Sequence, residues 1–498
     1  MKLFASAGLV LLAMTSIGQS EQIVQGQQYG RWTIENSPFR VQGDITVPYN
    51  ERLIIDPDVN VTFEGNYYFN VRGWLTAEGG ENHRIRFSRV DSSQWQGIYF
   101  HERSDARSII SYCDIVNARI GISLDFVSPL ISHNNIYAQS TGIDCRRSDP
   151  EIIENDYIFV GGDSAVSEAR GINLVDGSDA QVLNNRRIEV VGGPGGQTIG
   201  IYVERSIPNL FGNWIEVRSS GSVCGIILNR FEKACVQRNL IRVRSPHEMV
   251  GIWTLENSEG ASLRNNTIVL LGSSSGATGL IIGQTSEVIV LNNILVGTGG
   301  SVGINSTYGT VHRTSGYNDI WNHGVAYIGD WRGNHDIYSD PLFFDPQDNP
   351  QNVADTSYTL TWDDYPYGNC SPCIDAGHPG YQDPDHTRSD IGRYPYYQRP
   401  VTVRLNPAII PESFDLFTTF PNPFNQSLSI TIRSSGTGPA TLEAYNLQGH
   451  RIALIWSGET NREDINLTWA PQQIPSGEYF LLWKQGSQIE RRKTLYLP

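Results

Sequence analysis

The chain has 498 residues, with 49 Gly, 10% aromatic residues and a formal charge of −15. That length carries two or three domains, and the composition suits an all-β protein rich in turns. The acidic balance excludes nucleic acid or an anionic membrane surface as partner, because both demand a basic stripe.

The N-terminus reads as a secretory signal peptide over residues 1–20. Lys2 precedes an apolar run from Leu3 to Met14, and the small residues Ser16, Gly18 and Ser20 lie ahead of Glu21. The rest of the sequence holds no apolar run of roughly 18 residues, so no transmembrane helix is expected in the mature protein. Export permits disulfides, and Cys370 with Cys373 is the closest pair. Cys113, Cys145, Cys224 and Cys235 read as buried thiols. Zinc would need a second close pair or histidines at ligand spacing, which the sequence does not offer.

Residues 40–100 hold short alternating segments, each ended by Gly, Pro or Asp: Leu53 to Phe63, Phe69 to Gly79, Ile85 to Ser88 and Trp95 to Phe100. A repeat follows. Asn134, Asn155, Asn185, Asn213, Asn239, Asn266, Asn293 and Asn318 each precede an aliphatic within two or three residues. Gly121, Gly142, Gly171, Gly200, Gly225, Gly251, Gly279 and Gly303 each precede Ile or Leu and keep pace with them. The segments between are β-rich and too Gly-punctuated for helices. Coils of about 25 residues that turn back over themselves make a parallel β-helix, in which equivalent residues stack in columns. The Asn column then forms an internal ladder that satisfies backbone groups at a bend. The opening phrases resemble those of secreted right-handed parallel β-helix proteins of the pectate-lyase-like class, although Asp58 stands where the first phrase usually has Gly. The resemblance covers about residues 40–325, and the solenoid is assigned residues 21–325.

A second column follows each Gly-Ile by four or five residues: Asp125, Arg146 with Arg147, Asp176, Glu204 with Arg205, Asn229 with Arg230, Glu256 and Gln284. Its bland reading is a solvated edge of alternating charge. Its sharp reading is a glycan groove. The lyases this fold resembles abstract a proton with Arg or Lys, so Arg205, Arg230 and Lys233 are the candidate catalytic residues, with Arg147, Asp176 and Glu256 binding substrate. Neither a compact Asp cluster nor the close Asp pair of polygalacturonase-like hydrolases is present. Tyr202, Trp214 and Trp253 would add sugar stacking if exposed.

Beyond the coils, Ser339-Asp-Pro-Leu-Phe343, Ser371-Pro-Cys-Ile-Asp-Ala-Gly377 and Asp383-Pro-Asp-His-Thr-Arg-Ser-Asp-Ile-Gly392 resemble the closing segment of choice-of-anchor bacterial surface proteins. His386 and Arg393 replace the usual Gly and Ala. Residues 326–398 are expected to cap the solenoid and hide its open edge. Asp375, Asp383, Asp385 and Asp390 would suit Ca²⁺ as a hard cation, or Arg388 would neutralise them without metal. No other cofactor is implied.

Residues 399–415, with Pro400, Pro407 and Pro411, form a linker. Residues 416–498 show six or seven strands at sandwich spacing. Phe420-Pro-Asn-Pro-Phe-Asn425, Tyr445-Asn-Leu-Gln-Gly-His-Arg451 and Ile474-Pro-Ser-Gly-Glu-Tyr-Phe480 resemble the sorting domain of type IX secretion cargo and the Ig-like domain of hook-capping proteins. By that resemblance the domain addresses the chain to outer-membrane secretion machinery.

The expectation is an all-β, right-handed parallel β-helix solenoid with a small C-terminal β-sandwich, monomeric and secreted or cell-surface attached. It meets a polysaccharide or cell-surface glycan. Two readings stay open: a non-catalytic binding or adhesion surface, and an enzyme acting on an acidic polysaccharide, a lyase ahead of a glycoside hydrolase.

Overall fold

The computed structural model describes residues 21–91, 93–161, 168–255, 259–272, 274, 276–283, 287–306, 312–329, 332–346, 355–361, 370–398, 417–422, 424–433, 437–446, 450–461, 464–472, 474–485 and 488–497. It comprises two units, Met1–Arg399 and Pro400–Pro498.

The first unit is a three-faced parallel solenoid. Twelve short strands, from Gly30–Trp32 to His312–Gly316, stack into one sheet, the first face. Each coil then bends and runs through a second face, represented by Tyr157–Val160, Ile188–Gly192, Trp214–Ser219 and Leu240–Arg244. A further bend leads to the third face, as in Glu168–Val175, Gln197–Glu204 and Val223–Asn229. Every pairing in these stacks is parallel, and equivalent residues meet rung on rung. Ile136, Ile158, Ile188, Ile215, Ile241 and Ile268 form one inward column in successive registers, all fully buried. Burying each such side chain is worth roughly 1.5–3 kcal/mol.

Between first and second faces the chain turns through one residue in the left-handed region, such as His133, Glu154, Asn184 or Asn265, with φ between 51° and 55°. The ladder Asn comes next, and all eight are buried. Asn134 donates its backbone N–H (3.1 Å) and its Nδ2 (3.0 Å) to Oδ1 of Asn155, and Nδ2 also reaches the Ile110 carbonyl at 2.9 Å. The same pattern repeats down to Asn293, which donates to Asn318. Each amide thus satisfies groups that the bend takes out of the β-ladders.

The recurring Gly has a separate cause. A Cβ on Gly200 would lie 2.4 Å from the carbonyl oxygen of Gly225 and 2.4 Å from Cγ2 of Ile215. Successive coils approach too closely at this column for a side chain.

After the last full coil, residues 334–337 bridge to Gly316 and Asp319 at the downstream end. Residues 371–396, expected to hide that end, run back along the side of the solenoid. Arg393 donates to the carbonyls of Gly212 (2.9 Å) and Asn213 (3.2 Å), Asn265 donates to the Asp390 carbonyl (2.9 Å), and the His378 N–H meets Asn292 at 2.8 Å. On the second face, Tyr358 and Phe343 pack over Trp214, Leu240, Val269 and Leu271. Beneath them the pair Glu216–Arg242, 2.7 Å apart, is fully buried.

The second unit contains a three-stranded and a four-stranded antiparallel sheet. Leu428, Ile430 and Ile432 of one pack with Leu442, Leu481 and Trp483 of the other, which makes a small sandwich. No helix among the described residues is long and apolar enough to cross a membrane.

Candidate functional site

The charged column expected from the sequence lies at the corner where the third face turns into the first. Phe126, Arg147, Asp176, Arg205 and Arg230 occupy successive left-handed turn positions, with φ of 58°, 50°, 60°, 50° and 48°. Arg147, Asp176 and Arg205 make ion pairs along this corner. Arg147 reaches Asp125 at 2.8 Å and stacks over Phe126 at 3.9 Å. Arg205 binds Asp176, with Nε at 3.0 Å, and Glu204 at 3.3 Å. The hydrogen bond to Asp176 holds the Arg205 guanidinium above its usual range, and the reciprocal bond holds the Asp176 carboxyl below. That direction keeps the proton on Arg205, whereas a general base must give it up. Arg230 and Lys233 are exposed and make no ion pair among the described residues. Glu256 and Gln284 lie outside the described residues. The corner therefore assembles Arg147, Asp176 and Arg205 with Asp125 and Glu204, and sets Lys233 apart on the first face.

The four aspartates of the returning segment converge, but onto protein donors. Asp390, 1% exposed, accepts the backbone N–H groups of Asp375 (2.7 Å) and Tyr396. Asp383 accepts the Asp390 N–H at 2.6 Å and Arg238 at 3.1 Å. Asp385 accepts the N–H of Gln398 at 2.9 Å and the Thr387 hydroxyl at 2.7 Å, and Asp375 accepts the Gln398 amide. Among the described residues no three His, Cys, Asp or Glu side chains come together as metal ligands. The carboxylates organise the turn. Cys113, Cys145, Cys224 and Cys373 are buried free thiols, and burial pushes all four up, away from reactivity.

The aromatics separate as well. Tyr202 and Trp253 share an outward column of the third face with Ile227 between them. Trp214 is buried under the returning segment.

A groove of about 790 Å³ opens instead on the outer side of the second face, upstream of the returning segment. Strand alternation places its lining. Arg86, Asp114 and Asn135 are successive rungs of one outward column, and Val116, Tyr137 and Phe159 of the next. Gln94, Asn117 and Gln139 add carboxamides at the bend towards the third face. Tyr137 sits edge-on to Tyr157 at 5.6 Å and tilted to Phe159 at 6.3 Å. Asp114 is fixed by Arg84 (2.8 Å) and Asn135 (2.9 Å). Burial raises the Tyr137 hydroxyl with help from Asp114, while Arg84 and Arg86 oppose it, so both guanidinium groups lie within electrostatic reach of that ring. One rung beyond Phe159 the groove meets Glu189, which is buried and held by Arg218 (2.8 Å), Arg187 (3.0 Å) and the Tyr157 hydroxyl. Half-buried aromatics beside several carboxamides are the furniture of a small-molecule or sugar site.

A family model described as right handed beta helix region matches residues 74–241. The fold of the first unit is a right-handed parallel β-helix. No curated protein and no solved structure matches the chain. The matched stretch contains every residue that lines the groove, from Arg86 to Gly161. Sequence reasoning followed the phrase that recurs, whereas the groove residues of the β-helix differ from coil to coil. The available signal was position: the residues one and three places after a ladder Asn point outward, and Asn135, Tyr137 and, with one further residue, Phe159 follow from that count.

Proposed function

We propose that this is an exported bacterial surface protein that binds a glycan in the groove of its second face. One observation carries the reading: Tyr137 and Phe159 are held rung on rung in an open groove whose walls supply the amides of Gln94, Asn117, Asn135 and Gln139. Aromatic faces suit the apolar faces of sugar rings, and carboxamides both donate to and accept from sugar hydroxyls. Parallel stacking fixes these groups on a rigid scaffold, so little ordering is needed on binding. The residues from Lys2 to Glu21 support export, and the phrases of the C-terminal unit support delivery through outer-membrane secretion machinery. Among the described residues that line the groove, Asp114 is the one carboxylate and has no facing partner, which favours recognition over hydrolysis.

Calorimetry with the full mature chain against soluble neutral and acidic polysaccharides tests this, with absorbance of unsaturated sugar ends followed in parallel. Binding to at least one glycan is expected, weakened tenfold or more by Tyr137→Ala and by Phe159→Ala, with absorbance flat. Binding untouched by both substitutions, or no binding, overturns the groove. New absorbance overturns the non-catalytic reading in favour of a lyase.

A further inference from the structure

The charges of the groove fall in an order along the solenoid axis. Arg86 is exposed and makes no ion pair among the described residues. One rung on, about 4.8 Å away, the same column presents Asp114, and one rung further the neutral Asn135. The neighbouring column is uncharged over the same stretch, as Val116, Tyr137 and Phe159, until it reaches Glu189, whose charge Arg187 and Arg218 already neutralise. Gln94, Asn117 and Gln139 complete a neutral wall. The groove thus offers one free cation at one end, a carboxylate next to it, and amide and aromatic surface for the remainder.

We infer that the groove selects a glycan in which isolated acidic sugars stand among neutral ones, with Arg86 taking the carboxylate or sulfate. This rests on the glycan-binding reading above and narrows it. A guanidinium recognises either anion through paired N–H donors. A polymer charged on every sugar places its second anion about one rung from the first. That anion meets Asp114, whose Oδ1 is held by both Arg84 and Asn135, or a wall of amides and rings that offers it no unpaired cation among the described residues. A wholly neutral polymer leaves Arg86 without a partner and gains nothing from it. The Tyr137 hydroxyl, in the field of Arg84 and Arg86, lies where a sugar bound at the charged end would stack.

The test compares four probes on the full mature chain at low salt. Gellan and hyaluronan carry spaced uronates, polygalacturonate carries one on every sugar, and laminarin carries none. Gellan or hyaluronan is expected to bind at least tenfold more tightly than polygalacturonate and laminarin. Arg86→Gln should erase that margin and the salt sensitivity of binding, while leaving residual affinity near that for laminarin. A κ-carrageenan arm, which carries spaced sulfates and no carboxylate, separates sulfate from carboxylate recognition. Polygalacturonate or laminarin binding as tightly as the best probe overturns this inference and leaves the groove standing, provided Tyr137→Ala still abolishes binding. Arg86→Gln without effect overturns it equally. Binding that survives Tyr137→Ala, or no binding by any probe, overturns the groove itself. Unchanged melting of both variants shows that the losses are local.

Discussion

Asp336 accepts both the backbone N–H (2.8 Å) and the side-chain Nδ2 (3.1 Å) of Asn318 through one oxygen, and so takes the place of a ninth ladder amide. Every upper rung needs an acceptor below it. The last rung needs an acceptor but has nothing further to donate to, and a carboxylate meets that requirement. Its other oxygen takes the Tyr327 hydroxyl. Asp336→Ala is expected to leave two buried donors of Asn318 unsatisfied and to cost about 2–4 kcal/mol. Asp336→Asn, which keeps the acceptor, should cost under about 1 kcal/mol. Urea midpoints and amide exchange at Asn318 check this, and equal losses in the two variants would refute the assignment.

Gly200 tests the close approach of the coils. Gly200→Ala places a methyl group against the Gly225 carbonyl and Ile215, both fixed in the core, and should destabilise by about 3 kcal/mol. Gly195 has open space and an ordinary φ, so Gly195→Ala should be neutral or stabilise by about 0.5 kcal/mol. Thermal melting distinguishes them.

The ladder and the Gly column were legible in the sequence because each is one residue type recurring for one steric or hydrogen-bonding reason. Asp336 was harder to see, because the role stays the same while the residue changes: His133-Asn134-Asn135-Ile136 becomes His335-Asp336-Ile337. The path of residues 371–396 was not legible at all. Its contacts, such as Asn265 with Gly392, join positions 127 apart, and no local pattern encodes them. The groove inherits that limit, because the returning segment sets where the open part of the second face ends. The corner residues Arg147, Asp176 and Arg205 were placed in one column from spacing alone, and they do form one.

The buried pair Glu216–Arg242 should behave as a desolvated unit. Glu216→Leu leaves a guanidinium under Tyr358 without its carboxylate and is expected to cost about 3–5 kcal/mol. Adding Arg242→Met should recover most of that loss, since an apolar pair of similar volume avoids the desolvation penalty. A double variant no more stable than the single one would show that Arg242 holds the covering segment by other contacts.

The docking of the returning segment should weaken as pH rises. Burial pushes the Asp390 carboxyl up to about 7, against the N–H groups of Asp375 and Tyr396 and with the neighbouring Asp383 and Asp375. Asp319, which accepts Cys373 Sγ at 3.3 Å and the Ser339 N–H at 3.2 Å, is likewise pushed by burial to about 7. An unfolded aspartate titrates near 4. Both folded values are raised, so the native state binds these protons more tightly. The contribution is fully present below about pH 4 and is lost as pH rises through about 7. Each group changes stability by at most about 1.4 kcal/mol per pH unit in that window. Protease resistance of residues 371–398 should therefore be greater at about pH 5 than at about pH 8, and Asp319→Asn should flatten the profile. A segment held more firmly at the higher pH would contradict the sign.

The corner ladder gives the sharpest contrast with the groove. Asp176 and Arg205 are 27% and 50% exposed in their side chains, so water and salt screen their attraction. Asp176→Asn should leave the melting midpoint within experimental error, and added salt should remove whatever difference remains. It should also leave glycan affinity unchanged, because Asp176 stands on the opposite side of the third face from the groove bend. Were the corner a substrate clamp, the same substitution would free Arg205 and alter affinity tenfold or more without touching stability. One binding isotherm on Asp176→Asn beside one on Tyr137→Ala therefore decides which edge of the solenoid meets the sugar.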